Sequence, residues 1–143
     1  KPAKIKKESL GFVGNRMQLA LLREAFNIIN EGIADAETVD TVVRYSLGRR
    51  WNLVGPVASA DLGGLDTFYN ISTYLFKDMD NGTEPSLLLA WKVQDGNLGT
   101  KTGRGFYEWQ GEDGQRIIRE RDEQLMQQLA EDAAVEDADC KSE

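Results

Sequence analysis

The sequence predicts an all-α domain, a bundle of helices with one irregular segment near its end. Two features of the sequence predict this class. Only three prolines occur in 143 residues, and the glycines cluster between apolar stretches that repeat at helical rather than alternating spacing. Hydrophobic residues make up 41% of the chain and charged residues 29%, as in an ordinary globular domain. We therefore expect helices whose ends are marked by glycine.

A long amphipathic helix is predicted over about residues 12–31. At 100° per residue, its apolar side chains spread over more than half of the circumference, which is wider than a helix on a protein surface needs. We therefore expect this helix to be covered on two sides, either as the central helix of a bundle or against another subunit. The apolar set is Met17, Leu21, Leu22, Ala25, Phe26, Ile28, Ile29 and Ile33.

Glycines and a capping aspartate predict the second helix. Gly32 is expected to end the first helix, and Asp35 to cap the next one, with Glu37 favourably placed in its first turn. Gly48 is a good C-terminal stop, so a loop is predicted over residues 48–64.

Three further helices and one irregular segment are predicted in the rest of the chain. A third helix is expected over about residues 65–79, and a fourth begins at Pro85 and ends before Gly96. Residues 99–109, which we call the strap, contain three glycines and have no helical period, so an extended, irregular path is expected. A last helix is predicted over about 115–132.

Charge divides the chain into three parts. Residues 1–10 are rich in lysine and are interpreted as a linker or the remnant of an upstream domain, because the chain starts at lysine rather than methionine. Residues 11–110 form the predicted helical body. Residues 111–143 contain the last helix and an acidic tail that we expect to be solvated.

Composition excludes several classes of function. The net charge of −7 argues against nucleic acid, and no apolar run is long enough to span a membrane. The chain has no histidine and a single cysteine, so zinc or iron ligation and Ser-His or Cys-His catalysis lack their residues. We expect no metal, and we expect a reducing compartment, the cytoplasm.

Three motifs, in this order, resemble the C-terminal domain of the NAD-dependent L-3-hydroxyacyl-CoA dehydrogenases. They are Gly-Phe-Val-Gly-Asn-Arg at residues 11–16, Gly-Pro followed by Asp-Leu-Gly-Gly-Leu-Asp within residues 55–66, and Lys-Thr-Gly-Arg-Gly-Phe-Tyr at residues 101–107. The resemblance covers about residues 11–109 at compatible spacing. It implies a helical domain that contributes to the substrate site and to dimer contacts, downstream of a Rossmann domain that holds the nucleotide.

Asn15 is the candidate catalytic residue. On the helical wheel it falls in the apolar arc, where a buried amide needs a hydrogen-bond partner. Its place in the first helical turn leaves a local explanation open, in which it satisfies nearby backbone groups. The resemblance implies instead that Asn15 points into the cleft between domains and hydrogen-bonds the substrate near the reacting carbon.

Lys101 is the candidate cofactor contact. It lies between Gly99 and Gly103, where a backbone can approach a ligand closely and an ammonium can meet a phosphate. An ordinary surface lysine explains the spacing equally well. The resemblance implies that Lys101 lies close to the NAD bound by the other domain.

Arg49 and Arg50 form a double positive charge in an acidic chain. They are suited to a CoA phosphate or a substrate carboxylate, although arginines at a helix C-terminus also complement its dipole. Asp61, Gly64 and Asp66 match the central motif, and we expect structural roles for them.

The resemblance implies a whole protein that oxidises a 3-hydroxyacyl-CoA to the 3-ketoacyl-CoA with NAD, as in fatty acid β-oxidation. The upstream domain would supply a His-Glu pair as general base, and the helical domains would pair as a homodimer. This chain alone is expected to be inactive and to bind NAD negligibly. Two alternatives stay open, a dehydrogenase of a free hydroxy acid and a non-catalytic helical dimerisation module.

Overall fold

A computed structural model describes the backbone of residues 2–140 and the side chains of residues 2–134. Within these ranges the chain is helical, and its β-pairing is limited to two isolated bridges in the strap. The prediction of an all-α fold is confirmed. The chain divides into two compact units, one that ends at Trp91 and one that begins at Lys92. The division at residues 10 and 110 stays a prediction.

Six α-helices and one π-helical turn make up the described chain. In order they are α1 (Phe12–Asn30), α2 (Ala36–Val42), the π-helical turn (Val43–Leu47), α3 (Gly48–Gly63), α4 (Leu65–Leu75), α5 (Leu87–Gln94) and α6 (Glu112–Cys140).

The end of α1 and the start of α2 confirm the predicted boundary. After α1, the Gly32 N–H donates to the Ile29 carbonyl (3.1 Å) and the Ile33 N–H to the Ile28 carbonyl (3.0 Å), a Schellman ending. The Asp35 carboxylate then accepts the Thr38 backbone N–H at 2.8 Å and caps α2.

The helix that was predicted to end at Gly48 continues through it, so that prediction is wrong. Gly48 has right-handed helical angles (φ −60°, ψ −39°), and its N–H donates to the carbonyl of Val43, five residues earlier. A Cβ at Gly48 would lie 3.0 Å from that carbonyl oxygen. The glycine is therefore explained by close backbone approach in a π-helical turn rather than by a helix end.

The predicted loop over residues 48–64 is α3, which is kinked in its middle. Gly55 has φ 73° and ψ 167°, outside the helical region, and Pro56 follows it. Proline is well suited to the first turn of a new helical segment because its missing N–H has no partner there in any case. The break occurs at Gly55-Pro56 because two residues there oppose the helix, whereas Gly48 alone does not stop it.

The later helices differ from the prediction mainly at their ends. α4 ends at Leu75 rather than 79, and the turn after it is held by α1. The Asp80 N–H donates to Glu24 Oε2 (2.9 Å), and Arg23 Nη1 donates to the Gly82 carbonyl (3.2 Å). α6 begins at Glu112, three residues before the prediction, and extends beyond residue 132.

Apolar side chains are widely exposed in the described part of the chain. No hydrophobic side chain there is fully buried, and Leu53 and Leu62 of α3 are 82% and 78% exposed. The C-terminal half of α1, which contacts α2, is half-buried, whereas Phe12, Val13 and Met17 at its start are exposed. The described residues therefore do not cover the wide apolar arc of α1 on two sides.

Candidate functional site

Asn15 lies in the first turn of α1 and is exposed. Its side chain has no hydrogen-bond partner among the residues that the structure describes, and no side chain caps α1. The structure therefore does not support the interpretation in which the Asn15 amide satisfies local backbone groups. Within this chain both its N–H donors and its carbonyl oxygen are available to another molecule.

The backbone immediately before Asn15 is unusual. Gly11 has φ 76°, and Phe12, the first residue of α1, has φ 49°. A left-handed conformation is uncommon for a residue with a bulky side chain, and Phe12 is the one non-glycine residue with positive φ in the described range. Such outliers concentrate at functional sites, where the surrounding structure maintains them. The start of α1 is thus a locally strained segment that presents a free amide.

The strap folds back on itself and places Lys101 at its tip. The Gly99 N–H donates to the Arg104 carbonyl at 2.8 Å, and the Gly105 N–H to the Tyr107 carbonyl at 2.9 Å. Lys101 lies in the turn between Gly99 and Arg104, is exposed, and has no partner in the described part of the chain. The irregular path predicted over 99–109 is confirmed, whereas the extended path is wrong, because the strap turns back on itself.

Glycines allow the strap to pack tightly. Gly103, Gly105 and Gly114 are the buried residues of the described side-chain range. A Cβ at Gly105 would lie 2.9 Å from the Cα of Gly99, closer than real side chains approach a backbone atom. The glycine spacing of the motif is therefore required by the fold of the strap, independently of any ligand.

Two aromatic residues of the strap contact each other. Tyr107 and Trp109 meet edge to face, with ring centres 6.0 Å apart. Lys92 of α5, which the sequence did not single out, donates from Nζ to the Gly105 carbonyl at 2.9 Å and lies 5.1 Å from the centre of the Phe106 ring.

Arg49 and Arg50 lie in the helix that continues through Gly48, ahead of the kink at Gly55, so they do not complement a helix C-terminus at Gly48. The Arg49 guanidinium stacks over the Tyr45 ring at 4.8 Å, and Arg44 lies over the same ring at 5.4 Å. Neither Arg49 nor Arg50 forms an ion pair with a carboxylate in the described range. By contrast, Arg116 of α6 contacts carboxylates of its own helix.

The central motif lies where α3 ends and α4 begins, in agreement with the structural roles expected for its residues. The Gly64 N–H donates to the carbonyl of Asp61 at 3.2 Å, and Gly64 has φ 90° where α3 ends and α4 begins. Asp66 lies in the first turn of α4, where a carboxylate complements the helix dipole.

The candidate residues belong to different parts of the chain. Asn15 and the arginines belong to the first unit and Lys101 to the second. Within the first unit α1 packs against α2, whereas α3 packs against the π-helical turn and α4, so no described helix contact joins Asn15 to Arg49 or Arg50. No cluster of side chains suited to a metal ion occurs among the described residues. Over the same residues, no helix has the length and apolar character needed to cross a membrane.

Comparison with known proteins gives consistent matches. Residues 11–109 match the family model described as 3-hydroxyacyl-CoA dehydrogenase, C-terminal domain. The chain is 39% identical over 101 residues to a probable 3-hydroxybutyryl-CoA dehydrogenase of Bacillus subtilis, covering 70% of this chain and 34% of that protein.

The chain is also 33% identical over 125 residues to a 5-formyl-3-hydroxy-2-methylpyridine 4-carboxylate 5-dehydrogenase of Mesorhizobium japonicum, covering 87% of this chain and 40% of that protein. A crystal structure of a dehydrogenase of that name, described as an NAD+ dependent dismutase, superposes with a TM-score of 0.76 at 33% identity. That match covers 80% of this chain and 37% of the other.

The chain thus spans between a third and two fifths of the length of these relatives. The motifs quoted above, the helical fold and the match over residues 11–109 all agree. The chain belongs to the family of 3-hydroxyacyl-CoA dehydrogenase C-terminal domains.

Proposed function

We propose that the whole protein is an NAD-dependent oxidoreductase that oxidises the 3-hydroxyl group of a 3-hydroxyacyl-CoA to a ketone, as in fatty acid β-oxidation in the cytoplasm. The observation that carries this proposal is the free amide of Asn15 at the strained start of α1, within the motif shared with the family. The 3-hydroxybutyryl-CoA dehydrogenases among the relatives support the choice of substrate.

Asn15 is assigned the task of orienting the substrate. Its side-chain N–H donates a hydrogen bond to the substrate oxygen on the carbon that is oxidised, and so holds that carbon in place. As a donor fixed in a helix, it acts without moving a proton. The side chain is already exposed and unpartnered, so it gives up no internal hydrogen bond when substrate binds.

The proton must be accepted by another part of the protein. Removing a hydroxyl proton near neutral pH calls for a base such as histidine, and this chain contains none. We assign the base to a histidine of an upstream Rossmann domain. That assignment agrees with the length of the relatives, of which this chain matches only a third to two fifths.

Lys101 is assigned to the cofactor. NAD supplies the hydride acceptor when it is bound, chiefly by the upstream domain. The residue present here fits such a group, because an unpartnered ammonium at the tip of a tightly packed strap is a suitable donor to a pyrophosphate. Lys101 would bind and orient the nucleotide from the side of the helical domain.

The exposed apolar surface is assigned to contacts with other chains or domains. A side chain such as Leu53 or Leu62 gains about 1.5–3 kcal/mol when it is removed from water. The described residues leave this gain unrealised, which favours a homodimer through this domain together with contact to the upstream domain.

Substitution of Asn15 in the full-length protein tests the proposal. Asn15→Ala is expected to lower kcat for 3-hydroxybutyryl-CoA by about 10²–10³-fold, the usual effect of losing one oriented donor. Asn30→Ala is the matched control, because Asn30 is an exposed asparagine at the other end of α1. Equal rates for the two variants would contradict the role of Asn15.

A second candidate is a dehydrogenase of a free hydroxy acid. The observation that favours it is the pair Arg49 and Arg50, which carry no carboxylate partner in the described chain, together with the similarity to an enzyme named for a pyridine carboxylate. Arginine recognises carboxylates well because its planar donors match both oxygens. Comparing kcat/KM for 3-hydroxybutyryl-CoA with kcat/KM for free 3-hydroxybutyrate and 5-formyl-3-hydroxy-2-methylpyridine 4-carboxylate separates the two candidates.

A further inference from the structure

Lys92 makes two contacts with consecutive residues of the strap. Its Nζ donates a hydrogen bond to the Gly105 carbonyl at 2.9 Å and lies 5.1 Å from the centre of the Phe106 ring. The side chain is half-buried, unlike that of Lys101. Lys92 and Gly105 are 13 residues apart in the sequence. The ammonium therefore joins helix α5 to residues 104–109, which we call the returning limb of the strap.

The backbone of Lys92 also contacts the residues that lead from α5 into the strap. The Lys92 carbonyl accepts the Asn97 N–H at 2.8 Å, just before the strap begins. Lys92 thus binds the chain on both sides of the tip, with its carbonyl before the strap and its ammonium at Gly105. Between these two points the chain turns through Gly99 and Lys101.

Neither contact of the ammonium involves a carboxylate. Lys92 forms no ion pair in the described part of the chain, and its charge is stabilised by a carbonyl dipole and by the face of an aromatic ring. A surface lysine that served only for hydration would not be half-buried with its ammonium directed at a backbone carbonyl. The arrangement is suited to fixing a loop in position.

The position of Gly105 determines the position of the tip. Gly105 packs so closely on Gly99 that a Cβ there would lie 2.9 Å from the Gly99 Cα, and the neighbouring Arg104 carbonyl accepts the Gly99 N–H. Holding the Gly105 carbonyl therefore also holds the base of the turn that carries Lys101. If the returning limb moved, the ammonium of Lys101 would move with it.

We propose that Lys92 is a positioning residue, which locks the strap through the Gly105 carbonyl and the Phe106 ring and so presents Lys101 to the pyrophosphate of NAD. The locking follows from the contacts of Lys92 alone, whereas the second step rests on the proposed function of Lys101.

Hydrogen exchange measured by mass spectrometry on the full-length protein tests the locking step. Lys92→Met keeps the length of the side chain but removes the donor and the charge. We expect faster exchange in peptides covering the Gly99, Gly105 and Trp109 amides, which the strap protects. Lys92→Arg, which keeps a charged donor, is expected to restore part of the protection. Lys77→Met, at an exposed lysine outside the strap, serves as the matched control.

Calorimetric titration of NAD into the same full-length variants tests the second step. Lys92→Met is expected to raise the Kd for NAD by about tenfold, the effect of one lost charged contact, while kcat at saturating NAD stays within about twofold. If Lys92 acts through Lys101, adding Lys92→Met to Lys101→Met is expected to weaken NAD binding by less than about twofold further.

Each outcome decides one step. Unchanged exchange in Lys92→Met would overturn the locking, and fully additive losses of NAD affinity in the double variant would overturn the action through Lys101. A normal NAD affinity in Lys101→Met would contradict the proposed function of Lys101 and with it the second step. The exchange result would still decide the locking.

Discussion

The strap and the start of α1 both present one unpartnered polar side chain, but they are held in different ways. The strap is held by two backbone bridges, by buried glycines and by the ammonium of Lys92 in α5. The start of α1 has a left-handed Phe12, no side-chain cap and exposed apolar neighbours. Lys101 therefore lies in a packed element, whereas Asn15 lies in a helix start whose side chains are exposed in the described chain.

This difference bears on the role proposed for Asn15. A tightly packed segment keeps its shape whatever lies beside it, so the strap is suited to present a charge to a ligand bound elsewhere. A strained, exposed helix start needs neighbouring structure to maintain it. We therefore expect an upstream domain to complete the pocket around Asn15 and to leave the strap nearly unchanged.

The largest expected effect lies at the open site. Asn15→Ala is expected to reduce kcat by about 10²–10³-fold in the full-length protein while leaving the melting temperature unchanged, because the amide forms no hydrogen bond with a described residue. Steady-state kinetics and thermal unfolding of the same samples check both parts. A fall in stability with unchanged kcat would assign Asn15 a structural role instead.

We expect an added methyl group to destabilise the strap but not the start of α1. Gly105→Ala places a methyl group 2.9 Å from the Gly99 Cα and is expected to cost about 1–3 kcal/mol of overpacking. Gly14→Ala is the contrasting variant, because a Cβ there meets nothing within 4 Å and alanine favours the helix by about 0.5–1 kcal/mol. Urea unfolding of this chain measures both. A similar loss in both variants would remove the contrast.

Substitution of Arg50 tests whether the substrate is a free hydroxy acid rather than an acyl-CoA. If the substrate is a free hydroxy acid, Arg50→Gln is expected to lower kcat/KM for that acid by about tenfold, the effect of one lost charged contact. We choose Arg50 because Arg49 is already stacked on Tyr45. Arg119→Gln, on the exposed surface of α6, is the control. An equal response to an acid and to its amide would show that Arg50 does not recognise the carboxylate.

The smallest effect is expected at the cap of α2. Like the strap, this cap is formed by neighbouring residues of the chain itself. Hydrogen bonds from Thr38 lower the pKa of Asp35 below its ordinary value. The carboxylate therefore stabilises the fold at pH values above its unfolded pKa, and this contribution is lost as the pH falls through the lower, folded pKa. Asp35→Asn keeps a capping side chain without the charge.

Thermal unfolding as a function of pH checks this cap. The difference in melting temperature between wild type and Asp35→Asn is expected to shrink as the carboxyl is protonated at acidic pH. A difference that stays constant down to acidic pH would show that the charge of Asp35 does not contribute.

Local chemistry could be predicted from the sequence, and non-local contacts could not. The Schellman ending at Gly32 and the cap at Asp35 depend on residues within one turn, so the sequence contains their signals. The role of Gly48 could not be predicted from the sequence, because a glycine can mark either a helix end or a close backbone approach, and only the carbonyl of Val43 distinguishes them. The motifs identified the family, which residues 11–109 then matched.

The candidate site could be predicted only in part. The motifs pointed to Asn15 and Lys101, and the structure places both exposed and without partners in the described chain. Lys92 was missed because its contact joins residues 13 positions apart and no short pattern encodes that distance. The helical wheel of α1 predicted a covered face, but Phe12, Val13 and Met17 in its first turns are exposed in the described part of the chain.

One measurement tests most directly whether this chain is the substrate half of a two-domain dehydrogenase. NAD is titrated by calorimetry into the full-length protein and, separately, into this chain alone. We predict micromolar binding to the full-length protein and no measurable binding to the chain, because the one contact proposed here, that of Lys101, is too little to hold the nucleotide. Micromolar binding to the chain alone would contradict it, since the nucleotide site would then lie within these helices.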